Sequence, residues 1–347
     1  MAPPCYVPDM QDTAPDHLEA ETFSPLGAAP LVWLDLAGPG AEARARLLAG
    51  RTQAIIIGAD RRGDCPPVDP APFDCLLTVA AEAAAPWVCV EPARFEARAA
   101  VIENAVRAAP IAAGVLAQVL RIGEALPLRE ALGVESFAFS TLLGGEEFRA
   151  WRKTGQPVAQ PSPELPLLAV AREEGLVTIT LTRPDTRNAM SAAMRDALFE
   201  ALASVLDDPT RPDLLLRGEG TCFSVGGDLA EFGTATDLAQ AHFIRTARSC
   251  AALLDELGGR AEVLLHGACI GAGIEIPAAA ARRTVLPGAY FHLPELKMGL
   301  IPGAGGTATI SRAIGRHRTC YMMLSARRIA APAALGWGLI SGIAAVP

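Results

Sequence analysis

The 347-residue sequence contains no Cys-x-x-Cys pair and no cysteine–histidine cluster at zinc spacing, although it has eight cysteines, at positions 5, 65, 75, 89, 222, 250, 269 and 320. That absence argues against a structural metal, and the scattered cysteines read as free thiols of a reducing cytoplasm. No Lys/Arg run exceeds the doublets Arg61-Arg62, Arg282-Arg283 and Arg327-Arg328, and the formal charge is −8. A nucleic-acid or anionic-membrane partner therefore has no electrostatic footprint to bind. No segment approaches the roughly 20 uninterrupted apolar residues of a membrane span, and the opening Met-Ala-Pro-Pro-Cys-Tyr-Val-Pro-Asp lacks the basic start and apolar run of a secretory signal. The glycine-rich turns do not continue into Gly-Lys-[Ser/Thr], and Gly271-Ala-Gly273 lacks the third glycine of a dinucleotide fingerprint. Nucleotide hydrolysis and nicotinamide binding drop away. A globular protein with a small-molecule partner remains, and 51% hydrophobic against 20% charged residues suffices for a sizeable core.

Along the chain, residues 1–29 carry Pro, Asp and Glu without hydrophobic periodicity and read as an irregular lead-in. Short apolar runs at 31–36, 54–57, 76–79 and 87–90, bounded by Gly, Pro and Asp, predict buried strands, with Ala41–Ala49 of helical composition between the first two. The segment 30–94 is thus an α/β extension. From 95 to 152 the spacing turns helical: Val101, Ile102, Ala105 and Val106, then Ile111, Val115, Leu116, Val119 and Leu120, and after Pro127 a face of Val134, Phe137, Ala138, Thr141 and Leu142. Four prolines between 153 and 166 mark a stiff connector. Beyond it, 167–172 and 176–182 predict a hairpin, Ser191 caps a helix to Leu206, and strands at 214–216 and 263–265 alternate with helices.

Chemistry concentrates late in the chain. Glu275 lies between Gly271-Ala-Gly273 and Ile276-Pro-Ala-Ala-Ala-Ala281, where the surroundings read as interior, and Glu295 follows twenty residues later in Phe291-His-Leu-Pro-Glu295. A carboxylate withdrawn from water has a raised pKa, as acid–base catalysts often do. The bland alternative is that one of the two caps a helix or pairs with an arginine such as Arg312. Gly218-Glu-Gly220-Thr-Cys-Phe-Ser-Val-Gly226-Gly227-Asp228-Leu229 permits close backbone approach to a ligand, and equally fits an ordinary tight turn. His266 reads as a strand-end structural residue, His292 as cavity wall or as support just behind it rather than catalyst, and Trp337 as helix packing.

Arg183-Pro-Asp-Thr-Arg-Asn-Ala-Met-Ser191, Gly218–Leu229, His266–Glu275, Phe291–Glu295 and Gly299-Leu-Ile-Pro-Gly-Ala-Gly-Gly-Thr307 occur in one order. Over roughly 168–343 the sequence resembles the crotonase (enoyl-CoA hydratase/isomerase) superfamily. The resemblance implies an α/β fold with a crotonase-like β/α spiral core, here at 167–347, preceded by the additional α/β segment and the helical region. It implies an oxyanion hole from the main-chain N–H groups of Gly227 and Ala272, and two glutamates, Glu275 and Glu295, that hold one water. Glu275 would activate the water for attack at the β carbon, and Glu295 would protonate the α carbon. Arg187 and Ala189, with Asp228 and Leu229, match positions that flank coenzyme A, which the substrate itself carries; neither a separate cofactor nor a metal is implied. The implied activity is reversible hydration of a 2-enoyl-CoA. An isomerase or another acyl-CoA lyase or hydrolase is the alternative within the class, and a non-catalytic acyl-CoA-binding scaffold the alternative outside it. A cytoplasmic homotrimer or hexamer, with an acyl-CoA partner and neither nucleic acid nor membrane, completes the expectation.

Two departures stand out. Ala281 replaces a usual aspartate and Thr307-Ala-Thr replaces Thr-Gln-Arg, which together suggest lost polar support for the site. The family's helical tail is missing after Gly338-Leu-Ile340, whereas residues 95–152 are similar to that tail, as if it had been moved to the front of the core. Residues 30–94 suggest a degenerate copy of the core's opening.

Overall fold

A computed structural model describes residues 17–155 and 166–344; the expected connector at 153–166 lies mostly outside the described residues. The architecture is α/β. A helix α1 (His17–Thr22) leads into a four-stranded parallel sheet of β1 (Leu31–Asp35), β2 (Ile55–Asp60), β3 (Cys75–Thr78) and β4 (Trp87–Cys89), in that order, with α2 (Ala41–Arg51) after β1. All six residues of β2 are buried, as expected of an apolar run in a parallel sheet covered on both faces. The part of the lead-in from His17 on is ordered. Helix α1 precedes Phe23, which is buried in the cluster with Val32, Leu34 and Ile56, so one aromatic ring anchors a polar segment that periodicity alone leaves unassigned.

Four helices follow: α3 (Phe95–Ala108), α4 (Pro110–Gly123), α5 (Leu128–Leu143) and α6 (Glu146–Arg152). Helices α3 and α4 meet at 105° where Pro110 opens α4, since proline is tolerated at a first helical position and not in a helix interior. No single helix among the described residues is long and apolar enough to cross a membrane. The inner face of α5 differs from the expected one: Ala131, Leu132, Glu135 and Ser136 are buried, whereas Phe137 is 62% exposed. Polar residues at 135 and 136 hide this face from a hydrophobic pattern because it meets a polar cavity.

The core begins with the antiparallel hairpin β5 (Leu168–Glu173) and β6 (Leu176–Leu181), followed by α7 (Ala192–Asp207), β7 (Asp213–Gly218), α8 (Leu238–Ala247), α9 (Cys250–Leu257), β8 (Ala261–Leu265), β9 (Ala268–Ile270) and α10 (Ala272–Glu275). Then come β10 (Arg282–Val285), β11 (Tyr290–His292), α11 (Gly306–Ile314), α12 (Arg316–Ser325), β12 (Ile329–Ala330), α13 (Ala331–Trp337) and β13 (Gly342–Ile343). One sheet runs β13-β10-β8-β7-β6-β5, parallel except for the hairpin, and a smaller one runs β12-β11-β9. Ser191 caps α7 through the Met194 amide, as its sequence position predicts.

Helix α12 joins the halves. Every residue of it is buried, and burial of Arg316, His317 and Arg318 is tolerable because each of these three side chains is partnered. Arg316 donates to the carbonyls of Phe73 and Ala71 (both 2.7 Å) and pairs with Glu124, His317 Nε2 lies 3.0 Å from the Pro70 carbonyl, and Arg318 donates to Trp87 (3.1 Å). The front sheet is thus bonded to the core through its loop carbonyls. Its strands are all parallel, without the hairpin that opens the core.

Candidate active site

Three loops set the position of the backbone donors. Asn188 is fully buried in the left-handed region at φ 53°. Its Oδ1 accepts from Arg183 N (2.9 Å), and its Nδ2 donates to the carbonyls of Glu219 (2.9 Å) and Phe223 (3.0 Å). Ser224 Oγ donates to the Asn188 carbonyl (2.7 Å), and the Ser224 backbone bridges Cys269. Gly226, at φ 86°, approaches so closely that a Cβ there would sit 2.6 Å from the Ile270 carbonyl oxygen, so only glycine fits.

A bridge between Met190 and Gly227 uses Gly226 C=O and Asp228 N–H, at 2.7 and 3.2 Å. In a parallel bridge the residue directly opposite turns its own N–H away, which leaves that of Gly227 for the cavity. Ala272 is the first residue of α10, a position whose N–H has no partner within the helix. Gly227 and Ala272 both line a cavity of about 220 Å³, together with Glu275 and Glu295.

The two glutamates converge. A Cβ on Gly271, itself at φ 50°, would lie 2.8 Å from Glu295 Oε1 and 3.6 Å from Glu275 Oε1. Both side chains are almost completely buried. Glu275 Oε2 accepts from the amides of Ala304 (2.7 Å) and Gly306 (3.1 Å) at the start of α11, so it does cap a helix while facing the cavity. Arg312 donates to the carbonyls of Ala308 and Leu126 instead of to either glutamate.

A third carboxylate, unanticipated from sequence, comes from α5. Glu135 is 2% exposed and accepts from Gly305 N (2.7 Å), Thr307 N (2.7 Å) and Thr307 Oγ1 (2.6 Å). Burial raises all three carboxyl pKa values. The charge of Glu275 adds to this for Glu135 and Glu295, and amide donors oppose it for Glu275 and Glu135. Glu275 and Glu135 gather at the positive end of α11, which favours their ionised forms. Glu295 Oε2 is buried and has no partner among the described residues, so Glu295 is the carboxyl that most readily keeps its proton.

The rest of the wall is part apolar, from Leu132, Phe139, Phe232 and Ile276, and part cationic, from Arg195, Arg245 and Arg248. Arg187 and Leu229 are exposed and Ala189 and Asp228 half-buried; these four lie outside the cavity lining, on loops beside Met190 and Gly227. His292 stands behind the lining rather than in it: it is half-buried on β11, its carbonyl accepts from Gly271 N (3.0 Å), and desolvation, then Lys297, lowers its pKa. His266 Nε2 contacts the Gly220 carbonyl at 3.1 Å, and Trp337 packs edge-on to Tyr321. The site has polar support from other residues. Thr307 bonds Glu135, Thr309 Oγ1 donates to the Glu275 carbonyl (2.6 Å), and Ala281 is exposed before β10, outside the lining.

Residues 171–346 match the family model for enoyl-CoA hydratase/isomerase. The "probable enoyl-CoA hydratase 2, mitochondrial" of Arabidopsis thaliana is 29% identical over 170 residues, covering 49% of this chain and 56% of that protein. The "probable enoyl-CoA hydratase echA6" of Mycobacterium leprae is 30% identical over 183 residues, covering 52% of this chain and 72% of that protein. The crystal structure of an enoyl-CoA hydratase from Mycobacterium smegmatis shares 30% identity, covers 52% of this chain and 71% of that one, and gives a TM-score of 0.47. The chain thus spans just over half the length of the Arabidopsis relative, and the matched segment begins well after Glu135. It belongs to the enoyl-CoA hydratase/isomerase family.

Proposed function

We propose that the protein catalyses reversible hydration of a 2-enoyl-CoA thioester to a 3-hydroxyacyl-CoA. The observation that carries this reading is the convergence of Glu275 Oε1 and Glu295 Oε1 on Gly271, in a cavity that Gly227 and Ala272 also line. The thioester oxygen accepts from the two amides. As charge builds on that oxygen, each preorganised donor contributes about 3–4 kcal/mol. Glu275, whose burial-raised pKa of about 7 the Ala304 and Gly306 amides oppose, takes a proton from water in its ionised form as the water oxygen bonds to the β carbon. The double-bond pair moves to the α carbon, where Glu295 delivers its proton. One water is added in all, and return of the proton from Glu275 to Glu295 resets the pair. Arg187, Ala189, Asp228 and Leu229, at the surface next to Gly227, flank the coenzyme A portion.

Loss of the conjugated thioester absorbance of crotonyl-CoA tests the reading. Wild type should turn over, and Glu295→Gln should lose about 10²–10⁴ of that rate while still binding the ester. Binding without turnover by wild type would point to a scaffold, and movement of a 3-enoyl double bond without hydration would point to an isomerase.

Residues 95–152 fill the place of the family's tail from in front of the core, supported by the way α5 roofs the cavity with Leu132, Glu135, Ser136 and Phe139. Exposed Phe137, Phe243 and Ile244 on α5 and α8 support assembly into a homotrimer or hexamer. Light scattering that gave a monomer mass would overturn the assembly.

A further inference from the structure

Hydration leaves one feature of the cavity unused. Arg245, on α8, lines it beside α5. Its Nε donates to Ser136 Oγ (3.1 Å), its Nη2 to the Ser136 carbonyl (3.2 Å) and to Ser140 Oγ, and its guanidinium lies over the Phe139 ring, 5.0 Å from the centroid. One edge of the guanidinium is thereby fixed. Nη1 donates to none of the described residues, and no carboxylate among them is within ion-pair distance. Arg195 and Arg248, on the same wall, are already engaged: Arg195 with Asp196 (2.8 Å) and Arg248 with Glu200 (3.0 Å). The acidic neighbours are engaged as well. Glu231 Oε2 accepts from Ala192 N (2.7 Å), and Glu135 is taken up by the start of α11.

Arg245 is therefore a partly desolvated cation without a direct ion pair: Glu135 acts on it only through its charge, which leaves room for a ligand anion to supply the missing contact. The amides that would hold the thioester oxygen are on Gly227 and Ala272, the reacting carbons would fall between Glu275 and Glu295, and Glu135 on α5 and Arg245 on α8 line the same cavity. Leu132, Phe139 and Ile276 line the cavity with them and suit methylene groups, while the hydroxyls of Ser136, Thr246 and Ser249 make its wall polar near Arg245.

The geometry points to a substrate whose acyl chain ends in a carboxylate seated on Arg245: the CoA thioester of an unsaturated dicarboxylic acid. This rests on the reading of the cavity as an acyl-CoA site, and its reaction class upstream would be one that forms or desaturates a dicarboxylyl thioester. The carboxylate would accept from Nη1, forming a charge-assisted contact that a methyl-ended acyl chain cannot make.

Saturated esters test this without turnover. Calorimetric affinities of glutaryl-CoA and adipoyl-CoA are compared with those of pentanoyl-CoA and hexanoyl-CoA, for wild type and for Arg245→Met. Wild type should prefer the dicarboxylyl member of each pair by about 10- to 100-fold. Arg245→Met should abolish that preference while holding the methyl-ended esters within about threefold, and Arg245→Lys, which keeps the charge, should retain part of it. The preference should shrink on raising salt. Equal affinity for both classes in wild type, a preference that survives Arg245→Met, or an equal loss of both ester classes in that variant would overturn the proposal. The wild-type comparison needs no variant to fold. A dicarboxylyl preference in a protein that hydrates nothing would sink the hydration reading alone.

Discussion

Glu135→Gln separates the catalytic contribution of α5 from its contribution to stability. In the wild type both Glu135 oxygens accept: Oε1 from Gly305 N, Oε2 from Thr307 N and Thr307 Oγ1. A carboxamide has a single acceptor oxygen. Whichever way it is turned, its NH2 group opposes a buried amide N–H at the start of α11. One charge-assisted bond is lost and one donor is orphaned, at a combined cost of about 2–4 kcal/mol, or roughly 3–6 °C in melting temperature for a chain of this size. The effect on the other two carboxyls has its own sign. Burial comes first in raising all three; the charge of Glu275 then raises Glu135 and Glu295, and the Glu135 charge raises Glu295. The three lose protons as a unit. With Glu135 made permanently neutral, Glu295 loses its proton more easily, and the alkaline limb of kcat/KM, which follows protonated Glu295, should move to lower pH. The measurement is kcat/KM for an enoyl-CoA from pH 5 to 9 beside a thermal melt. A less stable enzyme whose profile has not moved, within about 0.2 pH units by curve fitting, would refute the electrostatic link and leave Glu135 as a brace only.

Glu295→Gln should raise stability at pH 8–9 even as it removes activity. The carboxyl pKa of Glu295 is raised in the fold, first by burial and then by Glu275, so its contribution is fully present below the unfolded value of about 4.3 and is lost as pH rises through the folded pKa. The variant, having no proton to lose, should gain on wild type with increasing pH, and equal melting-temperature differences at pH 5 and pH 9 would contradict this. Gly271→Ala should cut turnover at least about 100-fold and cost about 1–2 kcal/mol of stability, because its Cβ would stand 2.8 Å from Glu295 Oε1 on backbone at φ 50°; near-normal kinetics would show that the two carboxyls tolerate separation.

How much of this was legible in the sequence depended on whether each group's partner was near it in the chain. The hairpin at 168–181, the Ser191 cap and the strands β7 and β8 follow from local pattern. Glu275 and Glu295 stand out because each is embedded in a glycine- or proline-bearing motif with apolar neighbours. Glu135 does not stand out, since its partners are amides 170 and 172 residues away. Its signal was faint but present: Leu128, Leu132, Glu135 and Phe139 repeat at three- and four-residue spacing, so a glutamate sits in the middle of an otherwise apolar stripe. Reading hydrophobicity alone shifted the face toward Phe137. Arg316-His-Arg318 carries no local signal of burial either. It looks like a solvated surface, but it is buried because loop carbonyls from the front sheet arrive to meet it.

The start of α11 explains why acid groups from distant parts of the chain can share one cavity. Bringing carboxylates together in a buried place is unfavourable, and a protein keeps them there only if fixed dipoles replace the lost water. Gly305, Gly306 and Thr307 present three N–H groups at a helix end, where the macrodipole adds to the individual bonds. Glu275 from the core and Glu135 from α5 divide those donors between them, which leaves Glu295 without its share and therefore suited to carry the proton. On this argument the helices at 95–152 belong to the electrostatics of the cavity: without α5, Gly305 and Thr307 would lose their buried acceptor, Arg245 would lose Ser136 and Ser140, and the proton inventory around Glu275 would change.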